Sequence, residues 1–302
     1  MSSQSDRDCA SAVARGGYVD PNWPRPDTAG SACIIIYGYV PSITICALAL
    51  ALFSIALIIH GWLLVKYKSW YFIPVTVGLV LELVGYIART FSSQKNPYAV
   101  IYFVIQYFFI VVAPVMFSAA IYTLISIAIN RIGRQFAPLS SKLILWIFIV
   151  CDVVATIVQV AGAAMIGVAY SNGKDPTTPN HILLAGLAFQ VFAFFLFILV
   201  FIAFIWRSRK VTTSEFKTFA AATFVATLAV YLRTIFRLAE TAEGLMENLS
   251  THEVYFGCLE FLPIVVAVYI FTWWHPGRWL GNKHKRGKAL AGVHERLELQ
   301  KA

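Results

Sequence analysis

The sequence predicts an all-α membrane protein: a bundle of seven transmembrane helices with its N-terminus outside and its C-terminus in the cytosol. Three observations predict it. Seven apolar runs each exceed the roughly 20 residues needed to cross a hydrocarbon core about 30 Å thick. Lys and Arg fall unequally on the two sides of those runs, and tryptophans gather near one end of them. Backbone polar groups in lipid must be satisfied within their own segment, so each run is read as a helix.

The elements follow in order. Residues 1–37 form a polar tail dotted with Pro21, Pro24 and Pro26. It carries no basic-then-apolar signal pattern, so the first helix is expected to act as its own insertion signal. The runs then cover residues 39–65, 70–91, 98–130, 143–169, 182–206, 219–242 and 254–274, which gives a membrane domain over 38–275. Residues 276–302 form a basic tail. Pro41, Pro74, Pro114 and Pro263 interrupt the first, second, third and seventh runs. A proline there frees a carbonyl and permits a bend, and Pro114 and Pro263 lie well inside their runs.

Orientation comes from charge. One side carries sixteen basic residues, from Lys66 and Lys68 through Arg131, Arg134, Lys142, Arg207, Arg209, Lys210 and Lys217 to the tail. The other carries five, Arg7, Arg15, Arg25, Lys95 and Lys174, and is therefore read as the outside or lumen. Trp62, Trp70, Trp206, Trp273 and Trp274 fall at the cytosolic ends as an aromatic belt. The one glycosylation sequon, Asn248-Leu249-Ser250, falls in the last outer connection. Cys9 and Cys33 share the oxidising side and are the candidate disulfide. The net charge of +9 belongs mostly to cytosolic edges, which argues against nucleic acid as a partner. The basic stretch 283–288 has two readings, a stop-transfer cluster or a contact with anionic inner-leaflet lipid.

The runs also hold polar residues that lipid does not tolerate: Glu82, Arg89, Gln106, Asp152, Gln159, Gln190, Arg233, Arg237, Glu240 and Glu260, with His60 apart. A central Arg or Asp costs about 2.5–3.5 kcal/mol on insertion scales, so these side chains are expected to face the bundle interior and pair there. Glu82, Tyr86 and Arg89 share one helical face at i, i+4 and i+7, as do Arg233, Arg237 and Glu240. At 1.5 Å per residue nearly the whole set lies in the outer half, contributed by helices two to seven. Asp152 sits near mid-depth and His60 toward the cytosol. One reading is an outer cavity that binds an amphiphile with a charged or hydroxylated head. The other is an internal network that fixes helix packing.

The motifs resemble the fungal lipid-translocating exporter family of sphingoid-base exporters and aminocholesterol-resistance proteins. The resemblance runs from about residue 37 to 280. It is carried by Tyr39-Val40-Pro41-Ser42, His60, the stretch from Glu82 through Gly85-Tyr86 to Arg89, Ala113-Pro114, Ala119-Ala120-Ile121-Tyr122 and Asp152-Val153-Val154. Gln159-Val160-Ala161-Gly162, Gly186-Leu187 with Gln190, Arg233-Thr234-Ile235-Phe236-Arg237 through Glu240, Glu253 and His275-Pro276-Gly277 complete it. The resemblance implies a plasma-membrane or endomembrane factor that lowers exposure to toxic amphiphiles, sphingoid long-chain bases or related lipids among them.

A transporter of lipid or amphiphile is the reading this favours. The alternative is a seven-helix receptor or regulator that senses extracellular amphiphiles and controls other flippases. The third run ends Asn130-Arg131 without an acidic-Arg-aromatic signature, and the seventh has no Asn-Pro-x-x-Tyr and no Lys for a retinal Schiff base. Enzyme chemistry has little to rest on. No histidine pair has metal-ligand spacing, and no phosphate loop is present, so no cofactor is expected.

Overall fold

The computed structural model describes residues 18–24, 31–171, 177–244 and 247–278. Its helices are α1 (Ile43–Tyr67), α2 (Ile73–Gln94), α3 (Val100–Ile132), α4 (Ser141–Ser171), α5 (Thr177–Ser208), α6 (Ser214–Glu243) and a seventh span, α7 (Glu253–Arg278). All seven are long and apolar enough to cross a membrane, and the chain is a multi-pass membrane protein. Among the described residues there is no β-sheet, only an antiparallel bridge between Ser31 and Ala99. The bundle has an amino end, where residues 31–42 pack, and a carboxyl end, where His275 packs.

Neighbouring helices pack in chain order, α7 closes against α1, and α3 crosses the interior to meet α6. Phe117, Ala120, Ile121, Tyr122 and Leu124 of α3 are all essentially inaccessible, which makes α3 the central strut. The perimeter is the reverse: Ile58, Val65, Trp146, Ile157 and Trp273 are each more than half exposed. In water such a surface would drive association; against lipid tails it carries no penalty.

Helix starts correct the proline expectations. The first apolar run starts at residue 39, but α1 begins at Ile43, because Ser42 is extended and its side chain accepts from the Thr44 amide at 3.2 Å. Pro41 therefore precedes the helix, and Pro74 stands in the first turn of α2, where no N–H is required. Pro114 and Pro263 do lie inside their spans. α3 continues through Pro114, whereas α7 passes through a π-helical turn, Phe256–Phe261, just before Pro263.

The tryptophan belt holds for Trp62, Trp70, Trp206 and Trp273, all more than half exposed at the carboxyl end. Trp274 instead turns partly inward onto the core. At the same end His275 stacks on Tyr67 at 5.8 Å between ring centroids and lies 6.0 Å from the ring of His60. Cys33 is disulfide-bonded, while Cys46, Cys151 and Cys258 are free thiols. Its expected partner Cys9 and the basic stretch 283–288 lie outside the described residues. Asn248 is exposed and opens a single helical turn, Asn248–Thr251.

Candidate ligand-binding site

Three arginines dictate where the polar side chains gather, because each needs several acceptors once it leaves water. Arg233 of α6 donates through Nη2 to Glu260 Oε1 of α7 at 2.6 Å and to the carbonyl of Ile110 at 2.6 Å. That carbonyl is free for a covalent reason: its helical donor would be the nitrogen of residue 114, which is proline. Pro114 thus supplies an acceptor inside lipid. Arg237, one turn further along α6, pairs with Glu240 Oε2 at 2.8 Å and with Glu260 Oε1 at 3.1 Å, and its guanidinium stands over the Tyr107 ring.

Glu82 of α2 is the carboxylate without a partner. It is buried, 2 % exposed, and makes no hydrogen bond or ion pair among the described residues. Arg233, Glu260 and Arg237 are its charged neighbours. Three carboxyl groups, on Glu82, Glu240 and Glu260, therefore share two guanidinium groups. With all of them ionised the cluster carries one uncompensated negative charge.

Arg89 lies about two turns nearer the amino end, roughly 10 Å along α2 from Glu82. It is paired separately: its Nη2 donates to Glu253 Oε1 and to the Tyr39 hydroxyl, each at 2.9 Å, and its guanidinium stands 4.1 Å over the Phe256 ring. Glu253 Oε1 also accepts from the Ser42 amide at 2.8 Å, tying the start of α1 to α7. Tyr37 donates to Gln106 Oε1 at 2.7 Å. Burial pushes the Tyr37 hydroxyl up to about 12 and raises that of Tyr39, with Arg89 opposing both shifts, so both hydroxyls keep their protons.

The remaining predicted residues each join a pair between neighbouring helices. Gln159 of α4 donates to Gln190 of α5 at 2.8 Å, and Tyr122 of α3 donates to Asp152 of α4 at 2.9 Å. The ten residues are thus distributed over a charged cluster of α2, α6 and α7, the Arg89 and Gln106 contacts above it, and two pairs along α4. A cavity of about 630 Å³ opens elsewhere, between α5 and α6 at the carboxyl end, lined by none of the ten.

Residues 75–283, from the start of α2 through α7, match the family described as RTA1 like protein. The chain belongs to the RTA1-like family. This is the family its motifs resembled. Among its relatives in Saccharomyces cerevisiae, the sphingoid long-chain base transporter RSB1 (strain ATCC 204508 / S288c) is 29% identical over 293 residues, covering 84% of this chain and 76% of the relative. Protein RTM1 is 28% identical over 218 residues, covering 70% and 68% of the two chains. Protein RTA1 is 28% identical over 211 residues, covering 66% and 64%. No solved structure matches the chain.

In this RTA1-like chain the polar contacts also take in Glu253, Tyr39, Tyr37 and Tyr107, which are not among the ten residues expected from the sequence. Glu253 carried a usable signal, since it starts α7 at the depth where Arg89 ends its apolar face and needs an anion. The tyrosines carried none, because an aromatic at the end of a span reads equally well as an interfacial anchor.

Proposed function

We propose that this protein moves sphingoid long-chain bases, or amphiphiles of the same form, across the plasma membrane and so lowers exposure to toxic ones. Its N-terminus and Asn248 face outside, where Asn248 is a glycan acceptor, and its basic tail lies in the cytosol against anionic lipid. The carrying observation is the unpartnered Glu82 in a cluster holding three carboxyl groups against two guanidinium groups. A long-chain base brings one ammonium group, the charge that such a cluster lacks, and an alkyl chain that the apolar helix walls accept. Similarity to a relative named as a sphingoid long-chain base transporter supports the same reading.

Roles follow from the contacts. Glu82 receives the amine. Arg237 pairs with both Glu240 and Glu260 and so holds the carboxyl groups of α6 and α7 together in one cluster. Glu240, 18 % exposed, is the rim carboxylate that meets the head first. Arg233, locked to Ile110 and Glu260, holds α3, α6 and α7 in register.

The test reconstitutes purified protein in liposomes with a fluorescent long-chain base and follows leaflet exchange. Wild-type protein is expected to accelerate exchange. Glu82→Gln and Glu240→Gln, which keep shape and remove charge, are expected to reach the membrane at normal levels and lower exchange at least tenfold. Full exchange by both variants would overturn the assignment, and ligand binding without exchange would favour a receptor.

A further inference from the structure

The groove between α5 and α6 has a chemistry distinct from the charged cluster. Its floor and walls are Ile202, Ile205, Phe216 and Phe224. Exposed Ile202 and Trp206 on one side open it onto the perimeter that lipid covers. Its volume, about 630 Å³, lies within the roughly 300–1,000 Å³ range of small-molecule sites. The hairpin joining the two helices caps one end of the groove with Arg209, Thr212 and Lys217.

Charge at that end is one-sided. Residues 205–224 contain Arg207, Arg209, Lys210 and Lys217 against a single acid, Glu215. Neither Arg209 nor Lys217 is in an ion pair among the described residues. The Arg209 guanidinium stands 5.5 Å over the Trp206 ring, which holds it above the apolar slot. The first turn of α6 follows Thr213, whose side chain makes no capping bond, so backbone N–H groups also point out beside Lys217. Trp206, 64% exposed, marks the level at which lipid headgroups begin.

We infer that this groove is a binding site for an anionic phospholipid, with one acyl chain between α5 and α6 and its phosphate on Arg209 and Lys217. The apolar slot alone takes any lipid. The two cations lining the groove, Arg209 after α5 and Lys217 in the first turn of α6, make the site select for a phosphate head with net negative charge. A bound lipid there bridges the α5–α6 hairpin from outside, at the opposite end of the bundle from the charged cluster.

The test is native mass spectrometry of the full-length protein with dioleoylphosphatidylserine and dioleoylphosphatidylcholine. Wild-type protein is expected to retain the serine lipid at least tenfold more strongly. The double variant Arg209→Gln with Lys217→Gln is expected to bring the two lipids within about threefold of each other. Ala221→Phe, which fills the slot and leaves the charges in place, is expected to lower serine-lipid retention at least tenfold. Unchanged preference in the double variant, or unchanged retention in the slot variant, would overturn the site. A photo-crosslinking residue at Ala221, in vesicles containing the serine lipid, covers the case in which a variant fails to fold. A lipid adduct supports the site; a crosslink only to the chain's own tail or to a second copy overturns it.

Discussion

Asp152 keeps one carboxylate oxygen on the Tyr122 hydroxyl and leaves the other without a partner. Tyr122 is itself ringed by Phe148, Phe194 and Phe197, with its ring centroid 4.5 Å from that of Phe197. Both groups are buried, so the single hydrogen bond carries most of the polar satisfaction of the Tyr122–Asp152 pair. Tyr122→Phe is expected to cost about 1–3 kcal/mol, read as a lowered thermal unfolding midpoint in detergent. Combining it with Asp152→Leu is expected to recover most of that loss, since removing both partners leaves no orphan. At this scale the sequence was legible only in part. Asp152 announced itself by its cost in lipid, but the donor, thirty positions away on another helix, had no marker that set it apart from other buried tyrosines. The same holds for Arg89. Its need for an anion was readable, while the choice of Glu253 over Glu82 on its own helix face depended on how α7 approaches α2.

Helices approach one another as closely as their smallest residues allow. On α4 a Cβ added at Gly162 would lie 2.7 Å from the backbone nitrogen of Leu183 on α5, nearer than any real contact. On α5 a Cβ at Gly186 would meet Gln159 Cγ at 3.0 Å. These two glycines bring the backbones near enough for Gln159 to reach Gln190. Gly162→Val is therefore expected to push α4 from α5, break that hydrogen bond and cost about 1–3 kcal/mol in thermal unfolding. Gly61→Ala, with nothing within 4 Å of its added Cβ, is expected to be neutral or slightly stabilising. Each span was readable from its apolar length, and its ends were displaced by a few residues. The displacement at α1 has a local cause: Tyr39 and Val40 are apolar, but Pro41 and Ser42 after them set an extended backbone and a cap.

For the whole molecule, the basic residues at the carboxyl end outnumber those at the amino end, and with the Trp belt they argue for one orientation. Tags at the two ends are expected to behave oppositely in sealed right-side-out vesicles, the N-terminal tag cut by added protease and the C-terminal one protected. The reverse pattern would move the charged cluster to the cytosolic half and remove the proposed route for outside amphiphiles, and equal protection of both would contradict seven spans. The bundle's architecture was legible because lipid reduces the possible folds to a few. The grouping of polar side chains was less so, since depth along a helix can be counted and rotation about its axis against six neighbours cannot.

The wide turn at Phe256–Phe261 bears on that rotation. Glu253 and Glu260 are seven positions apart, and on an uninterrupted helix they would point within about 20° of each other. One surplus residue in a turn sets the helical phase back by about 100°. Glu253 accordingly reaches Arg89 on α2, and Glu260 reaches Arg233 and Arg237 on α6. To hydropathy, Phe256-Gly257-Cys258-Leu259-Glu260-Phe261 is an ordinary piece of span; in the bundle it is a gear tooth that addresses two acids of one helix to different neighbours. Wound as a regular turn, the same residues would point Glu260 about 100° away from its present direction relative to Glu253, so the wide turn is what lets one helix serve both groups of arginines.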